Sequence, residues 1–182
     1  MNEIQWGLLA LAAIIVFWMV GAYNRLLSLR NAIAQAAGQM DEPLRRRDEL
    51  IAGLLTLLRP MAEHVSLQTL QGVDEAGSAL VAAANALKAK PLSAEAPSRL
   101  AVAEVGLQAG LSTLLQLVEN TQALRLSPGM LERLAGISEA ERRMRFGRQL
   151  YNEAVKTYNA ALTEWPTRLL RRAFGLDEAS TI

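Results

Sequence analysis

Two hydrophobic patterns divide the chain. From Trp6 to Tyr23 every position is apolar or glycine, and no charge occurs between Glu3 and Arg25. A helix over residues 4–24 would be about 31 Å long at roughly 1.5 Å per residue, close to the hydrocarbon thickness of a bilayer, about 30 Å. Trp6 and Tyr23 stand near its two ends, where interfacial aromatic side chains belong, and Arg25 is the first charge beyond it. The pattern predicts a transmembrane helix after a short tail at 1–3. A cleaved signal peptide fits worse. The leading residues carry Glu3 instead of basic residues, the apolar run is long, and Gly21-Ala22 is a poor cleavage site.

Beyond residue 24 the apolar positions recur at steps of three and four, the spacing of one helix face. A first helix is predicted from the span to about Leu58, with Leu26, Leu29, Ile33, Ala37, Met40, Leu44, Ile51 and Leu54 inward and a bend at Pro43. Pro60 predicts the first turn of a second helix ending near Lys88, with Val65, Val73, Leu80 and Leu87 inward. A loop bracketed by Pro91 and Pro97 follows, with Ser98 as the expected N-cap of a third helix through Leu107 and Leu114. Ser127-Pro128 predicts the start of a fourth, running to about Glu164, where Trp165-Pro166 ends it. A short piece at 167–174 precedes Gly175, and 177–182 reads as a flexible tail. The expected fold is all-α: a transmembrane helix continuing into an antiparallel four-helix bundle over 25–176.

Composition narrows the chemistry. With 19 Lys+Arg against 18 Asp+Glu the net charge is +1, so no basic surface for nucleic acid is expected. Cysteine is absent, which removes disulfides, thiolate nucleophiles and lipoprotein processing, and the single histidine, His64, excludes a multi-histidine metal site. No Glu-x-x-His pair or Gly-rich phosphate loop occurs, so neither a cofactor nor a metal is expected.

A few positions stand out. Arg45, Arg46, Arg47 and Asp48 sweep around a whole helical turn, so at least one must face the bundle and needs a carboxylate partner there. Tyr-Asn occurs at 23–24, 151–152 and 158–159, and the last two lie seven apart, placing Asn152 and Asn159 on one helix face. Buried amides at such spacing can fix helix register. Arg168, Arg171 and Arg172 with Leu169, Leu170 and Phe174 form a short basic amphipathic piece suited to anionic headgroups or to capping the bundle. The paired acids read as solvated or salt-bridged surface.

These residues resemble the LemA family of bacterial single-span membrane proteins. Tyr23-Asn24-Arg25-Leu26, Leu44 to Ile51, Glu119-Asn120, Glu141 to Arg148, Tyr151 to Asn159, Trp165-Pro166 and Ala173-Phe174-Gly175 carry the similarity. Departures are Ala52-Gly53 in place of Pro-Asn, Thr121-Gln122 in place of Tyr-Pro, and Gly77 where an arginine is usual. The resemblance implies an N-terminal anchor, a helical bundle and an outside N-terminus, with no enzymatic activity attached.

The expected function is a non-enzymatic interaction or scaffold module in the bacterial inner membrane. Flanking Arg25 and Arg30 place the bundle in the cytoplasm. Expected partners are the bilayer, other membrane or envelope proteins and a second copy in a homo-oligomer. Candidate network or docking residues are Arg45, Arg46, Arg47, Asp48, Glu141, Arg148, Tyr151, Asn152, Tyr158, Asn159 and Trp165. The alternative is a lipid-contacting or membrane-remodelling protein acting through Arg168, Arg171 and Arg172.

Overall fold

The computed structural model describes residues 3–61, 63–165 and 167–182; for Glu3, Leu169, Arg172 and Ala173 it describes the backbone alone. All regular elements among these residues are helical: α1 (Glu3–Gly38), α2 (Asp41–Leu58), a 3-10 turn (Arg59–Met61), α3 (Leu67–Ala89), α4 (Ala96–Asn120), α5 (Gln122–Arg125), α6 (Met130–Thr163) and α7 (Thr167–Phe174). The expected class, an apolar N-terminal helix leading into a helical bundle, is the one the chain adopts.

The first half of α1 exposes Ile4, Trp6, Leu8, Leu9, Leu11, Ile14 and Phe17. This helix is long and apolar enough to cross a membrane, and its most apolar stretch is 0% buried. α4 is also long and apolar enough, but it turns Leu100, Leu107, Leu111, Leu114 and Val118 into the core. The second half of α1 is amphipathic and buries Leu26, Ile33, Ala36 and Ala37 against α6.

The bend expected at Pro43 lies upstream, at Gln39 and Met40, where α1 stops and α2 starts. There the Met40 N–H bonds to the Ala37 carbonyl three residues back at 3.3 Å, tightening the turn. Pro43 then occupies the first turn of α2, where a backbone N–H has no helical partner anyway, so it does not break the helix.

The other predicted starts also move. Pro60 belongs to the 3-10 turn, and α3 begins at Leu67. Its cap is Ser66, whose hydroxyl accepts from the Thr69 N–H at 3.1 Å. Val65 before the cap and Leu70 after it are both buried, a hydrophobic staple fixing the entry angle. α4 begins at Ala96, before the expected Ser98: Ser93 Oγ accepts from the Glu95 and Ala96 amides, and Pro97 sits in the first turn. α6 begins at Met130 instead of after Ser127, because Gly129 at φ 76 turns the chain into it. The short α5 ahead of it was not expected.

α3 packs along α4, α6 packs along α1 and α2, and α2 meets α3. Gly147 permits the closest approach: a Cβ there would lie 2.7 Å from Met40 Cγ, at the turn between α1 and α2. A cleft lies between α4 and α6, with Arg47 of α2 at its floor.

Candidate functional site

The cleft between α4 and α6 is the most charged part of the interior. Of the arginine run on α2, Arg47 is the inward member at 2% exposure, while Arg45 and Arg46 stay exposed and pair with Glu49 on their own helix at 2.8 and 3.6 Å. Asp48 is exposed and faces Gly77 of α3, whose Cβ would lie 3.7 Å from Oδ1. Arg148 of α6 and Glu104 of α4 bridge the cleft as a fork at 2.9 and 3.2 Å. Burial holds the Arg47 guanidinium below its ordinary pKa; Glu141 and Glu104 oppose this by favouring the charge, and Arg148 adds to it. Among the described residues, the buried Arg47 Nε has no hydrogen-bond partner. Arg47, Glu104, Glu141, Arg145 and Arg148 line a cavity of about 320 Å³. Next to it lies an apolar hollow lined by Leu54, Leu111, Leu134 and Ile137, sharing Gln108 and Glu141 with it.

The carboxylates whose charge reaches Arg47 are Glu141 of α6 and Glu104 of α4, neither of them in an ion pair with it among the described residues. Glu104 was not anticipated, although it stands at a stripe position of its helix between Leu100 and Leu107, where a carboxylate is out of place. The cleft offers guanidinium donors and carboxylate acceptors. Among the described residues no group of three or more His, Cys, Asp or Glu converges as a metal site. His64 is exposed in the turn before α3.

A second site runs along the C-terminal half of α6. Residues 177–182, expected to be flexible, lie against it, held through their backbone. Asn159 donates to the Ala179 carbonyl at 2.8 Å and accepts from the Ala179 N–H at 2.9 Å. Asn152 repeats the pair on Ile182 at 3.1 and 2.9 Å. Tyr158 donates to the Asp177 carbonyl at 3.3 Å; the Tyr151 hydroxyl lies 3.2 Å from the Ser180 carbonyl and 2.8 Å from that of Pro91. Burial raises both phenols, Tyr151 to about 12. Each Tyr-Asn pair thus grips one tripeptide. The spacing matches: seven helical residues advance about 10.5 Å, and three extended residues advance about 9–10 Å. The segment runs antiparallel to α6. The amides expected to set helix register instead bind an extended strand, a role that helix periodicity does not reveal.

A third cluster joins the bundle to the apolar helix. Trp165, largely exposed, packs on Trp18 with ring centres 4.7 Å apart, and Phe174 packs on Tyr23 at 5.7 Å. Arg25 pairs with Glu164 at 2.7 Å, which ties the end of the apolar run to the end of α6. Trp6 is exposed at the far end of α1. α7 lies against this region, with Val16, Met19, Val20, Tyr23, Leu170 and Phe174 around an apolar hollow of about 340 Å³. Arg168 is exposed, and Arg171 pairs with Glu178 at 2.8 Å. Pro166 and the side chains of Leu169 and Arg172 lie outside the described residues.

A family model, the LemA family, matches residues 36–182. No curated protein matches the chain.

Proposed function

The chain belongs to the LemA family, and on that premise we propose that it is a membrane-anchored, non-enzymatic interaction module. Its anchor is the uncovered apolar half of α1, and its docking surface is the cleft between α4 and α6. The observation that carries the reading is Arg47: a buried guanidinium with an orphaned Nε, beside Arg145 and Arg148 in an open cavity. A buried donor without a partner is costly, and an acceptor brought by a docked protein relieves it. The bundle lies on the cytoplasmic side of a bacterial inner membrane in this reading, because Arg25 and Arg30 follow the span.

The test is mild detergent extraction of crosslinked cells carrying the intact chain or Arg145→Glu, which reverses an exposed charge of the cleft. Specific partners recovered with the intact chain and lost with R145E support the reading. Recovery of the chain alone, or of the same partners with both, overturns it. Topology is read separately. Thr181→Cys in this cysteine-free chain should resist an impermeant thiol reagent until lysis; immediate labelling in cells with the outer membrane opened would put the bundle outside.

A second reading has its own support. α7 is basic and amphipathic and sits beside the last turns of the apolar run, with Trp18, Tyr23, Trp165 and Phe174 as an interfacial belt. In this reading α7 rests on anionic headgroups. In a chain with Trp6 and Trp18 replaced by Phe, brominated lipid should quench Trp165. Arg168→Glu with Arg171→Glu should weaken that quenching only in anionic bilayers. Unquenched Trp165 would sink the idea.

A further inference from the structure

We propose that the α6 face bearing Tyr151, Asn152, Tyr158 and Asn159 is a reading groove for an extended, acidic peptide segment of a partner. The chain's own residues 176–182 occupy it in the unengaged molecule. The inference rests on the interaction reading and adds the chemistry of what is bound.

The contacts define the ligand. Five hydrogen bonds join Asn152, Tyr158 and Asn159 to the segment, the Tyr151 hydroxyl adds a longer contact to the Ser180 carbonyl, and all end on its backbone. Such a site recognises extended conformation before it recognises sequence, as strand-addition sites do. Two positions must keep an N–H, those of Ala179 and Ile182, so proline is excluded there. Leu176, Ala179 and Ile182, three apart, turn inward, with Ala179 almost fully buried and the other two partly so. The three-residue period is that of a polyproline-type strand. The middle inward position accepts only a small side chain.

Charge supplies the rest. Asp177 and Glu178 precede the small residue, and the groove's entrance carries Arg168 and Arg171. Arg171 pairs with Glu178, and Arg30 of α1 adds to the field around Tyr158 and Asp177. The fitting segment reads apolar, acidic, acidic, small, any, any, aliphatic. Gly175, at φ 58, joins α7 to the segment and supplies a pivot at which it can lift off.

The experiment releases the tail without touching the groove. Ala179→Pro with Ile182→Pro in the full chain removes the two N–H groups that Asn159 and Asn152 bind. The probe is a fluorescent peptide of sequence Leu-Asp-Glu-Ala-Ser-Thr-Ile, titrated by anisotropy into the detergent-solubilised chain, with circular dichroism reporting the fold. The released chain should bind the peptide at least roughly tenfold more tightly than the intact chain, where a tethered competitor holds the groove at high effective concentration. Asn152→Ala or Asn159→Ala in the released chain should each weaken binding about tenfold, the loss of two hydrogen bonds. A peptide with lysines for its two acids should bind more weakly. A folded, released chain that ignores the peptide overturns the proposal, and so does binding indifferent to both asparagines. If the double-proline chain does not fold, a chain ending at Gly175 takes its place. If neither folds, the segment is a fixed part of the core and the proposal fails. None of these failures touches the α4–α6 cleft, which R145E tests independently.

Discussion

Asn152 and Asn159 show how much a single side chain can do when both its amide groups are matched. Each closes a two-bond ring with one backbone residue of the segment. Asn152→Ala leaves the Ile182 N–H and carbonyl unpaired in a partly buried place, and should cost about 1–3 kcal/mol. Thermal unfolding and faster hydrogen exchange of the 179–182 amides check it. Arg47 is a different case. Burial outweighs the attraction of Glu141 and Glu104 there, and the Nε has no hydrogen bond among the described residues, so Arg47→Met should leave stability unchanged or raise it by roughly 1 kcal/mol in denaturant titration. That one member of Arg45, Arg46 and Arg47 must face inward followed from helical geometry. Which one does so, and that Glu104 lies across from it, depended on how α2, α4 and α6 are rotated against each other.

The helices form where periodicity predicted, but their ends are set by small local devices. Ser66 with Val65 and Leu70 overrides Pro60 as the start of α3, because a side-chain cap satisfies an amide that proline merely lacks. Ser66→Ala should lower stability by about 1 kcal/mol in thermal melts. Two glycines separate helix propensity from packing. At Gly147 a methyl would meet Met40 Cγ at 2.7 Å, so Gly147→Ala should destabilise by about 1–3 kcal/mol. At Gly77 the nearest atom is Asp48 Oδ1 at 3.7 Å, an ordinary contact, so Gly77→Ala should stabilise by roughly 0.5–1 kcal/mol. Opposite shifts in denaturation midpoint are expected; equal shifts would contradict the close approach of α6 to the turn at Met40. Neither difference is visible in sequence, since both residues interrupt otherwise good helices.

The assembled fold links its stability to the segment along α6 through Tyr151. Burial raises this phenol to about 12, above its unfolded value of about 10. The native state holds the proton more tightly, so the contribution is complete below pH 10 and fades as pH rises towards 12. Tyr151→Phe should flatten that part of the stability–pH curve when denaturation is measured from pH 8 upward. The same fold brings its membrane-side elements together. The Trp18–Trp165 and Tyr23–Phe174 contacts and the Arg25–Glu164 pair fasten α6 and α7 to the end of the apolar run.

The apolar helix and the helical class are properties of neighbouring residues. Hydropathy over 4–24 and steps of three and four beyond it act within one helix, so they can be read before any helix meets another. The doubled Tyr-Asn was conspicuous for the same reason. What it holds was not, because residues 177–182 are short, polar and without a helical period, and alone resemble a frayed end. Only tertiary structure decided that they lie along α6, that Arg47 is the buried arginine, and that a cleft opens between α4 and α6. Each depends on residues far apart in sequence meeting in space. An extended strand has no internal hydrogen bonds to announce it, and its order comes from the groups it is laid against.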